Sequence, residues 1–136
     1  QVQNPAVDTL SSPDTILVAD DDADMLRLYQ LYMSEWKLPF NLEFAHDGFD
    51  ALLKIGKHRT ALLVTDLNMP GIDGFRMVRT LRANRHTRDM PIVVVTGMDR
   101  RSIEALGLPS DLPVFSKPVP FAELRQAIEK CQVIKA

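Results

Sequence analysis

The chain has 136 residues, of which 46% are hydrophobic and 25% charged, with a formal net charge of −2 and one cysteine. This length supports one domain with one core, and the composition of an ordinary soluble protein gives no global reason for nucleic-acid or membrane binding. The lone Cys131 excludes an internal disulfide framework and a cysteine-based metal cluster, and no apolar run reaches the ~20 residues of a membrane span or forms a signal-peptide core, so a cytoplasmic location is expected.

Residues 1–14, QVQNPAVDTLSSPD, are polar with prolines at 5 and 13 and read as a linker or tail, as do residues 133–136. Opening on Gln1 rather than methionine, the sequence reads as a piece of a longer protein. In chain order, TILVA (15–19), LEFA (42–45), ALLVT (61–65), PIVVVT (91–96) and PVFS (113–116) predict strands. Between them, Met25, Leu28, Tyr29, Tyr32 and Trp36 make an apolar stripe that predicts a helix over 23–36. Phe49, Leu52, Leu53 and Ile55 do the same over 48–57, and Phe75, Met77, Val78 and Leu81 over 74–84. A short helix is expected over 100–106. The last helix, 120–132, opens with Pro120 in its first turn and carries Phe121, Leu124, Ala127, Ile128 and Cys131.

Five alternations of strand and helix argue for a doubly wound parallel sheet with helices on both faces. Such sheets place ligand sites at the carboxyl ends of the strands, near the point where strand order reverses. The stretch LLVTDLNMPGIDG (62–74) gains its meaning there. A strand buried on both faces delivers Asp66 to the sheet edge, and a loop dense in turn residues follows. The first strand ends in Asp20 and Asp21, the fourth in Thr96 and the fifth in Ser116, Lys117 and Pro118. Three carboxylates in one cleft repel unless they are protonated or bridged by a cation, and oxygen ligands select a hard ion, Mg²⁺ or Mn²⁺. An anion such as a phosphoryl group fits between the metal, Lys117 and the Thr96 hydroxyl, with Asp66 as a nucleophile able to form an acyl phosphate.

ILVADDD, LLVTDLNMPGIDG, VVVTG and SKP, in this order and spacing, resemble the receiver domain of two-component response regulators across residues 15–132. The resemblance implies a flavodoxin-like sheet of order 2-1-3-4-5. It implies Asp66 as phosphoacceptor, Asp20, Asp21 and Asp66 as Mg²⁺ ligands with the Asn68 backbone carbonyl, and Lys117 and Thr96 as stabilisers of the phosphoryl oxygens. It also implies a cis peptide at Lys117–Pro118. The donor would be a sensor histidine kinase or a histidine phosphotransfer domain, and catalysis would be confined to the domain's own phosphorylation and dephosphorylation. The family's switch pairs the threonine with an aromatic three residues before the lysine. Here that position is Val114, with Phe115 next to it and expected on the opposite face. Asn68 and Met98 would border the path of the hydrolytic water. A dimer through the fourth helix, fifth strand and fifth helix is a further implication; direct nucleic-acid binding is not.

Asp22 reads as a helix cap rather than a ligand. Arg76, Arg79, Arg82, Arg85 and Arg88, at every third position, read as a solvated basic face rather than an anionic docking surface. His46, His58 and His86 show no ligand spacing and no phosphodonor role. The prolines of GLPSDLP (107–113) suggest a short or shifted fourth helix. The linker favours a receiver that follows another domain, for instance in a hybrid kinase. Two rivals stand beside this reading. One is a degenerate receiver that binds partners without phosphorylation. The other is a phosphatase of the haloacid-dehalogenase type, suggested by Asp20 and Asp22 but lacking a carboxylate pair on the fourth strand. A dinucleotide fold is excluded by the absence of a glycine-rich loop after the first strand.

Overall fold

The computed structural model describes residues 14–135, so the expected N-terminal linker lies outside the described residues apart from Asp14. Five strands, β1 (Thr15–Ala19), β2 (Asn41–Ala45), β3 (Thr60–Thr65), β4 (Ile92–Thr96) and β5 (Val114–Ser116), form one parallel sheet. Its order is β2-β1-β3-β4-β5, as the resemblance implied. Pro91 and Pro113 fall just outside their strands because they have no N–H for the ladder. Their carbonyls still accept from Leu63 (3.0 Å) and Val94 (2.9 Å).

Helices α1 (Ala23–Glu35), α2 (Gly48–Lys57), α3 (Gly74–Ala83), α4 (Arg100–Leu106) and α5 (Phe121–Lys135) connect and follow the strands. The pleat sends alternate residues of β1, β3 and β4 to opposite faces. Leu17, Ala19, Leu63 and Val94 pack with Ala51 of α2 and Met77, Val78 and Leu81 of α3. Ile16, Val18, Leu62, Val64, Val93 and Val95 pack with Tyr29 and Met33 of α1 and Leu124 and Ile128 of α5. The near-continuous apolar runs of the central strands are those of a sheet covered on both faces.

Several helix details differ from expectation. In α1 the buried residues are Tyr29 and Met33, whereas Leu28 and Tyr32 are 41% and 46% exposed. The row facing the sheet is narrower than the predicted stripe, and Tyr32 packs sideways against Phe121 of α5. In α2, Gly48 and Ala51 face inward while Phe49 and Leu53 sit at the surface. A Cβ on Gly48 would lie 2.2 Å from the Ile72 carbonyl oxygen, so only a small residue fits that face. Helix α4 is short, as the prolines suggested, buries none of its residues and ends at Gly107 in the left-handed region (φ 69°). Helix α5 begins at Phe121, with Pro120 one place before the first turn, and runs to Lys135, past the expected end at 132. No glycine or proline lies between 132 and 135 to stop it.

Candidate functional site

The sheet's hydrogen bonding itself carries the site residues to one rim. Beyond the strands, the Asp20 N–H donates to the Ala45 carbonyl (3.0 Å), that of Asp66 to Ala19 (3.1 Å) and that of Lys117 to Thr96 (2.9 Å). Asp20 and Asp66 therefore leave neighbouring strands, β1 and β3, at the point where strand order reverses. Asp20 and Asp66 are buried, at 1% and 6% exposure, while Asp21 is exposed.

Asp20, Asp21 and Asp66 each offer an oxygen within 4.8 Å of the others. The Lys117 ammonium donates to Asp20 Oδ2 and to Asp66 Oδ2, both at 2.8 Å. The other oxygen of Asp66 accepts from the Leu67 (2.7 Å) and Asn68 (3.2 Å) backbone N–H groups, and Asp20 Oδ1 accepts from that of Asp22 (2.9 Å). The Thr96 hydroxyl is buried and accepts from the Met98 N–H (3.3 Å). Asp20, Asp21, Asp66, Asn68, Thr96, Met98 and Lys117, with Asp22 and Gly97, line one open cavity of about 420 Å³. A set of three carboxylates and no nitrogen or sulfur donor fits a hard divalent ion.

Burial pushes the Asp20 carboxyl above the usual carboxylate range, and its bond to Lys117 only partly offsets this. Burial opposes the charge on Lys117, but hydrogen bonds to Asp20 and Asp66 outweigh it and raise the ammonium above the ordinary lysine value. Tyr29, at 2% exposure, has its phenol pushed up by burial and further by the charges of Asp20 and Asp66. It lies within the electrostatic reach of the site, which its place in a helix pattern gave no sign of.

The loop after Asp66 is closed by Gly74, whose N–H donates to the Leu67 carbonyl (3.0 Å). A Cβ there would stand 1.9 Å from the Asp66 carbonyl oxygen. Gly71 takes a positive φ of 75°, and Asp73 caps α3 through the Arg76 N–H (2.8 Å). The Lys117–Pro118 peptide is cis.

The remaining candidates take other roles. Asp22 caps α1, accepting from the Asp24 and Met25 N–H groups. Val114 is 38% exposed and does not line the cavity, while Phe115 packs on the α1–α5 side. The five arginines do not form one uniform face. Arg76, Arg79, Arg85 and Arg88 are exposed, but Arg82 makes a bidentate pair with Asp111 (3.2 and 3.0 Å). None of the three histidines lines the cavity.

The fold and this constellation define a class, and comparison with known proteins agrees. The model of the response regulator receiver domain family matches residues 16–129. The chain belongs to that family. It is 36% identical over 107 residues to the response regulator MprA of Mycobacterium avium, covering 79% of this chain and 45% of that protein. It is 32% identical over 94 residues to the response regulator GtcR of Aneurinibacillus migulanus, covering 69% and 37%. The chain thus spans less than half the length of these relatives. Among solved structures it is similar to a sensor protein from Polaromonas sp. JS666 (29% identity, TM-score 0.79, covering 90% of this chain and 98% of that one). It is also similar to a response regulator receiver protein from Pseudomonas putida (25% identity, TM-score 0.77, covering 88% and 98%).

Proposed function

We propose that this domain takes a phosphoryl group from a phosphohistidine of a sensor histidine kinase or a histidine phosphotransfer domain onto Asp66, and that the modified domain changes its interactions. The observation that carries the reading is the placement of a buried, Lys117-bonded Asp66 beside Asp20 and Asp21 in one open cavity. Asp20, Asp21, Asp66 and the Asn68 carbonyl would hold Mg²⁺, or Mn²⁺ in its place. When bound, such an ion supplies neutralisation of the charge that builds on the transferring group.

The chain's own groups divide the remaining work. Two backbone N–H groups hold Asp66 Oδ1, and Oδ2, now held by the Lys117 ammonium, is the oxygen that would attack phosphorus once that contact is released. As the new oxygen–phosphorus bond forms, the phosphorus–nitrogen bond to the donor imidazole breaks and its electron pair stays on the ring. Lys117 passes from the carboxylate to a phosphoryl oxygen, and the Thr96 hydroxyl turns to donate to another. Asn68 and Met98, both lining the cavity, border the approach of the hydrolytic water. The domain works on the cytoplasmic side in this reading. The α4–β5–α5 face, where Val114 is exposed and no residue of α4 is fully buried, is the surface proposed for a dimer. Asp22, committed to the α1 cap, supplies no second acid of the phosphatase kind.

Incubation with acetyl phosphate and Mg²⁺ tests the reading. Intact-mass analysis should show a gain of one phosphoryl group that Asp66→Ala abolishes. No gain in the wild type would refute it, and would leave the unphosphorylated binding module as the alternative.

A further inference from the structure

Lys117 is tied to α5 by a short segment, Pro118–Val119–Pro120, that leads directly into Phe121. Two prolines in three residues fix φ twice, so the segment has few soft torsions. Phe121 is gripped at its far end by α1. Its ring stacks on Tyr32 with centroids 3.9 Å apart and planes 5° from parallel. Tyr29 meets it edge-on at 5.6 Å, and Trp36 does so at 6.5 Å. One turn along α5, the Arg125 guanidinium lies 5.9 Å from the Trp36 ring centre. Two aromatic side chains of α1 and that of Trp36, the residue that caps its end, thus hold the first residue of α5. One of them, the buried Tyr29, is within reach of the charges on Asp20 and Asp66.

Among the described residues, the opposite face of β5 makes no comparable aromatic contact. Val114 is exposed, and Phe115 is turned into the α1–α5 layer, where it joins the same packing. Besides its backbone bond to Thr96, Lys117 is therefore connected through Pro118–Pro120 toward α1 and α5.

We propose that the clamp of Phe121 by Tyr29 and Tyr32 positions Lys117 over Asp66 and carries the phosphorylated state to the α1–α5 face. This rests on the phosphoacceptor reading of Asp66. When a phosphoryl group forms there, the ammonium that now spans Asp20 and Asp66 at 2.8 Å each must transfer one bond to a phosphoryl oxygen. The stiff segment passes that shift to Phe121, and the stack on Tyr32 takes it up. Coupling of this kind is reciprocal, so loosening the stack must also loosen the hold on Lys117.

Trp36 is the chain's one tryptophan and sits at the clamp, so its emission is a built-in readout. The experiment follows Trp36 emission and intact mass together after acetyl phosphate and Mg²⁺ are added, in the wild type, Tyr32→Phe and Tyr32→Ala. Tyr32 is half exposed, so its truncation leaves the core in place. The wild type and Tyr32→Phe, which keeps the ring, should show an emission change that rises with the mass gain. Tyr32→Ala should lose more than half of that change per phosphoryl group and gain mass several-fold more slowly. A normal wild-type mass gain with constant Trp36 emission would overturn this inference alone, as would a wild-type response in Tyr32→Ala. Absence of any wild-type mass gain would remove the phosphoacceptor reading and this inference with it.

Discussion

Asp20 shows how a single residue can be wrong for the fold and right for the site. Its carboxyl is raised by burial, so the folded state favours the protonated form. The stability this confers is complete below the ordinary carboxylate range and is lost as pH rises through the raised value. At neutral pH the ionised group therefore costs stability. Asn at position 20 keeps an acceptor for the Asp22 N–H but carries no charge. Asp20→Asn should raise the thermal midpoint of the metal-free domain at neutral pH, and the gap should close in acid. With Mg²⁺ the order should reverse, because the ligand set proposed above is complete only in the wild type. Lys117 behaves differently: its raised value means that its contribution is fully present at neutral pH and is lost only above the ordinary lysine range. Met98 lines the cavity with a flexible apolar chain that offers a water nothing to hold it. Met98→Glu should shorten the phosphorylated lifetime several-fold without abolishing phosphorylation. Decay time courses that are equal or slower in the variant would remove Met98 from the water path.

At the scale of elements, the close approach of α3 to the end of β3 depends on one hydrogen atom. Any side chain at 74 would meet the Asp66 carbonyl oxygen at 1.9 Å and the Leu67 Cα at 2.7 Å, and both are backbone atoms that cannot step aside cheaply. Gly74→Ala should cost about 3 kcal/mol in denaturant unfolding, the upper end of what overpacking typically costs. It should also slow phosphorylation by displacing Asp66. Gly56, inside α2 with nothing within 4 Å of its would-be Cβ, is the contrasting case. Gly56→Ala should stabilise by roughly 0.5–1 kcal/mol. The order and type of elements were readable because a two-sided apolar run and a helical stripe differ in period. Asp20, Asp66, Thr96 and Lys117 were readable because parallel topology brings the carboxyl ends of the strands together whatever lies between them. What stayed hidden depends on distances between segments far apart in sequence. Gly74 facing Asp66, the charges of Asp20 and Asp66 acting on Tyr29, and Tyr32 leaving the core for Phe121 are of that kind. The inward face of α2 was missed for another reason: hydrophobic spacing finds Phe49 and Leu53, not the small Gly48 and Ala51 that close approach demands.

At the scale of the molecule, two apolar cores, one on each face of the sheet, hold a rim on which three carboxylates meet one ammonium. A bound divalent ion would stabilise the whole fold by mass action, since the unfolded chain does not bring these oxygens together. Asp21 gives the cleanest test because it is exposed and its removal disturbs no packing. Asp21→Ala should melt like the wild type without metal but lose most of the rise that Mg²⁺ produces, whereas Asp22→Asn should keep that rise. The central claim is that Asp66 carries the phosphoryl group. The most direct measurement exposes the domain to acetyl phosphate with Mg²⁺ and locates the added mass by peptide mapping, with parallel samples in chelator and with Asp66→Asn. The account predicts one phosphoryl group on the peptide containing Asp66, labile to hydroxylamine as an acyl phosphate must be, and absent from both controls. A stable modification elsewhere, or an equal gain in Asp66→Asn, would contradict it.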